Sequence, residues 1–159
     1  MYESKARYSA FDTAVYYITF KDRTVKELRD KLIDKGYSHA EVDDSINLLL
    51  EYGYLNDANY ALSYIRSNSN NKGINRIRME LTRKGIDKSV ISDATENVDF
   101  NETDTILDIM NRKYCNINFS DEKAVRRMYG FFVRRGFKYE NIMKAMSIFK
   151  KNVQSDSYI

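Results

Sequence analysis

Proline and tryptophan are absent from the 159 residues, and glycine occurs only six times. Scarcity of the helix-breaking residues tilts the whole chain towards helix. A single cysteine, Cys115, excludes an internal disulfide and points to a reducing, cytoplasmic setting. Its neighbours Arg112 and Lys113 are basic, but a plain half-buried thiol is the expectation. The single histidine, His39, falls at the start of a solvated helix, and no His/Cys cluster has metal-ligand spacing. No apolar run approaches the ~18 residues of a membrane span. The opening MYESKARYSAFD lacks the apolar stretch of a signal peptide. The glycines are scattered, so no phosphate-cradling loop exists, and acids such as Asp43 and Asp44 have no base or nucleophile beside them. These absences point to a binding protein rather than an enzyme, with no catalytic residues, metal or cofactor.

What is present is a threefold repeat. LIDKGY at Leu32–Tyr37 returns as LTRKGI at Leu81–Ile86 and as FVRRGF at Phe132–Phe137. Residues 25–49 align without a gap to 74–98 and to 125–149. Val25, Leu28 and Leu32 match Ile74, Ile77 and Leu81, then Val125, Met128 and Phe132, a spacing that forms one stripe on a helix. Gly36, Gly85 and Gly136 follow that helix, where a left-handed residue stops it. Tyr37, Ile86 and Phe137 then fold back on Leu32, Leu81 and Phe132. Ser38 with Glu41 forms a capping box for the next helix, Asp87 caps the second copy, and Lys138 is a poor cap in the third. A further helix precedes each pair, at AVYYI (14–18), ALSYI (61–65) and ILDIM (106–110).

The fold expected is therefore all-α, with about nine helices in tandem three-helix repeats at 10–53, 57–98 and 102–150 and a frayed tail at 151–159. EYGYLND at 51–57 and VDFNETD at 98–104 are the joints, and SNSNNKG at 67–73 is the most loop-like stretch. Units this small bury little surface alone, so they stack, giving an elongated, curved array. The alternative is one compact nine-helix bundle.

Charge is blocked along the chain. Residues 36–65 carry five acids and no Lys or Arg, and 66–88 carry seven basic residues against Glu80 and Asp87. Residues 89–111 carry six acids and no Lys or Arg, and 123–151 carry nine basic residues against Glu140 alone. Lys35, Lys84 and Arg135 precede the three glycines, where a cation also complements a helix C-terminus. Repeat two adds Lys72, Arg76, Arg78 and Arg83. Repeat three adds Arg126, Arg127, Arg134 and Lys138. Arg76 aligns with Arg127 and Arg83 with Arg134, whereas repeat one has Glu27 and Asp34 there. Such a ridge suits phosphates, which give affinity without base specificity. Tyr129 and Tyr139 lie nearby, as base-stacking or simply helix-packing rings.

The segments GYLNDANYA, KGINRIRMELTRKGI and RRGFKYENI, in that order and spacing, resemble the RecX family of bacterial recombination regulators. The resemblance runs from about Ala14 to Phe149. It implies tandem three-helix repeats without enzymatic activity, lodged along the filament that the RecA recombinase forms on single-stranded DNA. It further implies limits on filament growth, ATP hydrolysis and strand exchange, and binding to single- and double-stranded DNA. Lys72, Arg76, Ile77, Glu80, Leu81, Lys84 and Gly85 match the second-repeat motif, and Arg134, Arg135, Gly136 and Phe137 the third. Two positions depart: Asn68 stands where the family often has a cation, and Asn56 where an acid is common. A general basic DNA-binding protein and a protein scaffold are the competing readings. Nothing suggests a second protomer, so a monomer is expected.

Overall fold

A computed structural model of the chain describes residues 8–156. Its described residues form nine α-helices: α1 (Ala10–Phe20), α2 (Val25–Asp34), α3 (His39–Glu51), α4 (Asp57–Asn68), α5 (Ile74–Arg83), α6 (Lys88–Glu96), α7 (Glu102–Lys113), α8 (Glu122–Arg134) and α9 (Tyr139–Asp156). The protein is all-α, and its helices follow one another as three tandem triplets.

The stops and starts are local chemistry. Gly36, Gly85 and Gly136 have φ of 94°, 82° and 80°. Behind each, the next residue's N–H returns to the last turn: Tyr37 to the Leu32 carbonyl, Ile86 to Leu81 and Phe137 to Phe132. Capping boxes open α2 (Thr24 with Glu27) and α3 (Ser38 with Glu41), and Asn101 and Asp121 cap α7 and α8. Asn56 accepts from the Asn59 N–H at the head of α4. The first of these boxes escaped the sequence reading, although Thr24 and Glu27 carry its spacing. The last helix extends past residue 150, where the third repeat was expected to end. α9 runs on to Asp156, for the segment holds no proline or glycine and Val153 packs on the core beneath. Residues 157–159 lie outside the described residues.

Two compact units divide the chain, Met1–Ser63 with Leu81–Thr95 (unit 1) and Tyr64–Glu80 with Glu96–Ile159 (unit 2). The division falls inside α4 and α5, so the middle triplet is shared out. Unit 1 is built on Ala14, Leu28, Leu32, Val42, Ile46, Leu49 and Leu55. Unit 2 is built on Ile106, Ile109, Met110, Met128, Phe132, Phe137, Ile142, Ala145 and Phe149. The expected stripe positions Leu28, Leu32, Ile77, Leu81, Met128 and Phe132 are all fully buried.

Each unit contains the same junction between successive triplets. In unit 1, Thr24 Oγ1 donates to the Lys84 carbonyl at 2.6 Å and the Val25 N–H donates to Asp57 Oδ1 at 2.9 Å. In unit 2, the Gly73 N–H donates to the Arg135 carbonyl at 2.9 Å and the Ile74 N–H donates to Glu102 Oε1 at 2.7 Å. The helix that ends in the basic–glycine pair thus seats its last turn on the first turn of the corresponding helix one triplet earlier. An acid at the head of the later triplet takes a free N–H of that first turn.

Candidate binding surface

The eleven cations picked out in the sequence separate into two groups by what they touch. Four are held within the protein. Lys84, at the unit 1 junction, donates to Glu27 at 2.6 Å and lies 5.5 Å from the Tyr60 ring centre. Burial lowers the Lys84 ammonium, but hydrogen bonds to Glu27 and Tyr60 outweigh it and raise the group well above its usual range. Lys72 and Arg76 both close on Glu80, at 2.7 and 2.9 Å, where Tyr64 also donates at 2.7 Å. Arg76 also reaches the Arg134 carbonyl at 3.5 Å. Arg135 donates to the Asn71 carbonyl at 2.8 Å and stacks 4.5 Å over Phe131. Lys72 precedes α5 instead of riding on it, yet the spacing of four still brings it to the same carboxylate as Arg76.

Arg78 is exposed and belongs to α5 in unit 2. The remaining six, Lys35, Arg83, Arg126, Arg127, Arg134 and Lys138, are exposed, and among the described residues no ion pair engages them. Lys35 and Arg83 belong to unit 1, the other four to unit 2. Arg127 and Arg134 are two turns apart on one face of α8, about 10 Å along its axis. Gly130 lies between them: a Cβ there would stand 3.2 Å from Arg134 Nη1. Lys138 opens α9, its backbone N–H donating to Glu102 Oε2 at 3.0 Å. Arg126 turns towards a shallow groove of about 380 Å³ with Phe119, Val125, Tyr129 and Met143. Tyr129 and Tyr139 meet edge to face with ring centres 6.4 Å apart, Tyr139 outermost. Cys115, expected half-buried, is exposed: it sits in the turn after α7, where Tyr114 takes the inward place against the core.

Comparison with known proteins bears on this arrangement. A family model for the first three-helix domain of RecX matches residues 10–49, and one for the second three-helix domain matches 56–94. The regulatory protein RecX of Vibrio vulnificus is 31% identical over 143 residues, 87% of this chain and 92% of that protein. The chain belongs to the RecX family. The regulatory protein RecX of Clostridium perfringens is 33% identical over 122 residues, which is 74% of this chain but 58% of the longer relative. A crystal structure of RecX from Lactobacillus salivarius superposes with a TM-score of 0.75 at 26% identity, over 89% of this chain and 94% of that one. A second crystal structure, of a regulatory protein RecX, gives 0.76 over 87% of this chain and 71% of that one, and at 23% identity it bears on fold alone. Membership of the RecX family makes the chain a regulatory protein rather than an enzyme. Among the described residues no helix is long and apolar enough to cross a membrane.

Several residues that shape the surface went unread in the sequence. Glu102, 4% exposed, takes the N–H groups of Ile74 and Lys138 and the Asn141 amide, at 2.7, 3.0 and 2.7 Å. One carboxylate thus serves the first turns of α5 and α9 and supplies the cap that Lys138 lacks. Asp57 does the smaller version of this job in unit 1; burial pushes its carboxyl up, the Val25 N–H pulls it down, and the net shift is upward. The signal was available, since both acids are the first residue of the first helix in their triplets.

Proposed function

We propose that this RecX-family chain binds the filament of the RecA recombinase on single-stranded DNA and limits its growth, ATP hydrolysis and strand exchange, acting as a monomer built from repeats at 10–53, 57–98 and 102–150. The observation that carries this reading is the set of cations on α8 and at the head of α9, Arg126, Arg127, Arg134 and Lys138, which have no ion-pair partner among the described residues. Internal ion pairs already explain Lys72, Arg76 and Lys84, and carbonyl and ring contacts explain Arg135. The unpaired group has no such explanation, and phosphates supply one. Membership of the RecX family supports the recombinase as the protein partner. Lys35, Arg78 and Arg83 complete the proposed contact set, and the four internally held cations serve it indirectly by fixing the junctions.

The test is the single-stranded-DNA-dependent ATPase of the cognate RecA with this protein titrated in near physiological salt. Inhibition well below one protein per RecA is the expected outcome. No effect at saturating protein, with DNA binding intact, would leave a general basic helical DNA-binding protein in its place.

A further inference from the structure

Helix α1, AFDTAVYYITF, contains one charged residue, Asp12, in eleven. Ala14 is part of the unit 1 core, with Phe11, Tyr17 and Ile18 packed against it. The other side of the helix is not clothed in charge. Val15 and Thr19 face an open groove of about 880 Å³, whose opposite wall is Tyr52 and Tyr54 with Asn56 and Asn59 from the head of α4. Tyr52 and Tyr54 are 60% and 69% exposed, and on α1 itself Phe20 is 72% exposed with Tyr16 edge-on to it. A surface helix that is apolar all round needs a second cover, and exposed aromatic patches mark contact surfaces.

Charge says what kind of cover. The described residues of unit 1 carry nine basic against twelve acidic side chains, and those of unit 2 fifteen against ten. The segment that supplies Tyr52, Tyr54, Asn56 and Asn59 lies in the 36–65 block, which has no Lys or Arg. A phosphodiester strand meets the wrong sign there. Among the described residues the one cation lining the groove is Arg23, and its buried Nε finds no hydrogen-bond partner among them. An N–H in that state calls for an acceptor, and the carbonyl of an extended peptide is one. Tyrosine faces beside Asp22, the acid that lines the groove, call for a cationic side chain.

We infer that this unit 1 groove docks a protein segment of the recombinase carrying Lys or Arg among apolar side chains, while nucleic acid is held by the α8 cations of unit 2. Tyr52 and Tyr54 anchor the segment, and Arg23 binds its backbone. The inference rests on the filament-regulator reading and adds to it the division of labour between protein and DNA contacts.

The experiment compares the full wild-type chain with Tyr52→Ala/Tyr54→Ala and with Tyr54→Lys. Neither change removes a core contact, and thermal melts by circular dichroism check the fold. Two quantities are read: anisotropy of a fluorescein-labelled oligo(dT) without RecA, and the midpoint of inhibition of RecA ATPase. The expected result is oligo(dT) affinity within about twofold of wild type and an inhibition midpoint raised at least about tenfold, the loss of one or two anchor contacts. An unchanged midpoint overturns the inference. So does a loss of oligo(dT) binding equal to the loss of inhibition, which would make the groove a nucleic-acid site. Failure of the wild type itself to inhibit RecA removes the functional reading and this inference together, a pattern distinct from the other two.

Discussion

Glu80 gathers Tyr64, Lys72 and Arg76 around one carboxylate that is 16% exposed. Burial pushes its carboxyl up, but the three hydrogen bonds and the Lys72 charge outweigh burial and hold it at about 2, against an ordinary 4.5. The same contacts raise Lys72. A depressed acid stabilises the fold fully above its unfolded value and loses that contribution as pH falls towards the folded one. The window is therefore about pH 5 down to 2, and the amount, after screening by solvent, on the order of 1–2 kcal/mol at neutral pH. Urea titrations across that window should show the wild type losing stability steeply. Glu80→Gln should start lower and decline less, and parallel curves would show that Glu80 does not govern the acid limb. Glu102 makes a different demand, because three donors converge on it out of reach of water. Glu102→Ala should cost about 3–5 kcal/mol through those orphaned groups, read as a shift of the urea midpoint. A cost near 1 kcal/mol would mean that water replaces the carboxylate.

Among the elements, the basic–glycine ending has two jobs, and the first copy performs only one of them. Gly36 stops α2 and a Cβ there would meet nothing within 4 Å. Gly136 stops α8, but it also lies against the backbone of Arg76 at the junction, where a Cβ would collide. Gly36→Ala should therefore cost only the left-handed backbone penalty of about 1 kcal/mol. Gly136→Ala should exceed it by at least about 2 kcal/mol, since the obstacle is main chain rather than a yielding side-chain end. Equal thermal shifts for the two would dismiss the junction. This contrast also marks how far the sequence could be read. The helix stops, the Ser38–Glu41 cap and the buried stripe were legible because each is settled within about seven residues. The junction was not, because it joins Thr24 to Lys84 and Gly73 to Arg135 across some sixty residues, and an unaligned pair of that separation leaves no periodic trace. Lys138 shows the boundary: its weakness as a cap was visible, whereas its remedy, Glu102, lies 36 residues away. The same limit applies to the candidate site. The clusters of Lys and Arg were visible as composition, but which of them spend their charge on Glu27 and Glu80 depends on contacts that only the folded units make.

For the molecule as a whole, that sorting changes which charges test its role. Reversing Arg76 places a glutamate one turn from Glu80 and breaks a contact to the Arg134 carbonyl, so lost binding there would be confounded with lost stability. Arg126, Arg127 and Arg134 have no ion-pair partner among the described residues, and their reversal leaves the junctions untouched. If these three meet phosphates of a single strand, removing them lowers the salt dependence of binding by about 0.7 per contact, roughly 2 in the slope of log affinity against log salt. The triple variant Arg126→Gln/Arg127→Gln/Arg134→Gln should therefore bind oligo(dT) weakly at 50 mM salt and with a shallower slope. Its urea midpoint should match the wild type. Neutral glutamine is the sharper choice than glutamate, since it removes the contacts without adding repulsion that would weaken binding from any position on the unit. A full slope and full affinity in the triple variant would move the phosphate contacts off α8. Attention would then turn to Arg78 and Arg83 on α5, whose cations alternate with the buried Ile77 and Leu81.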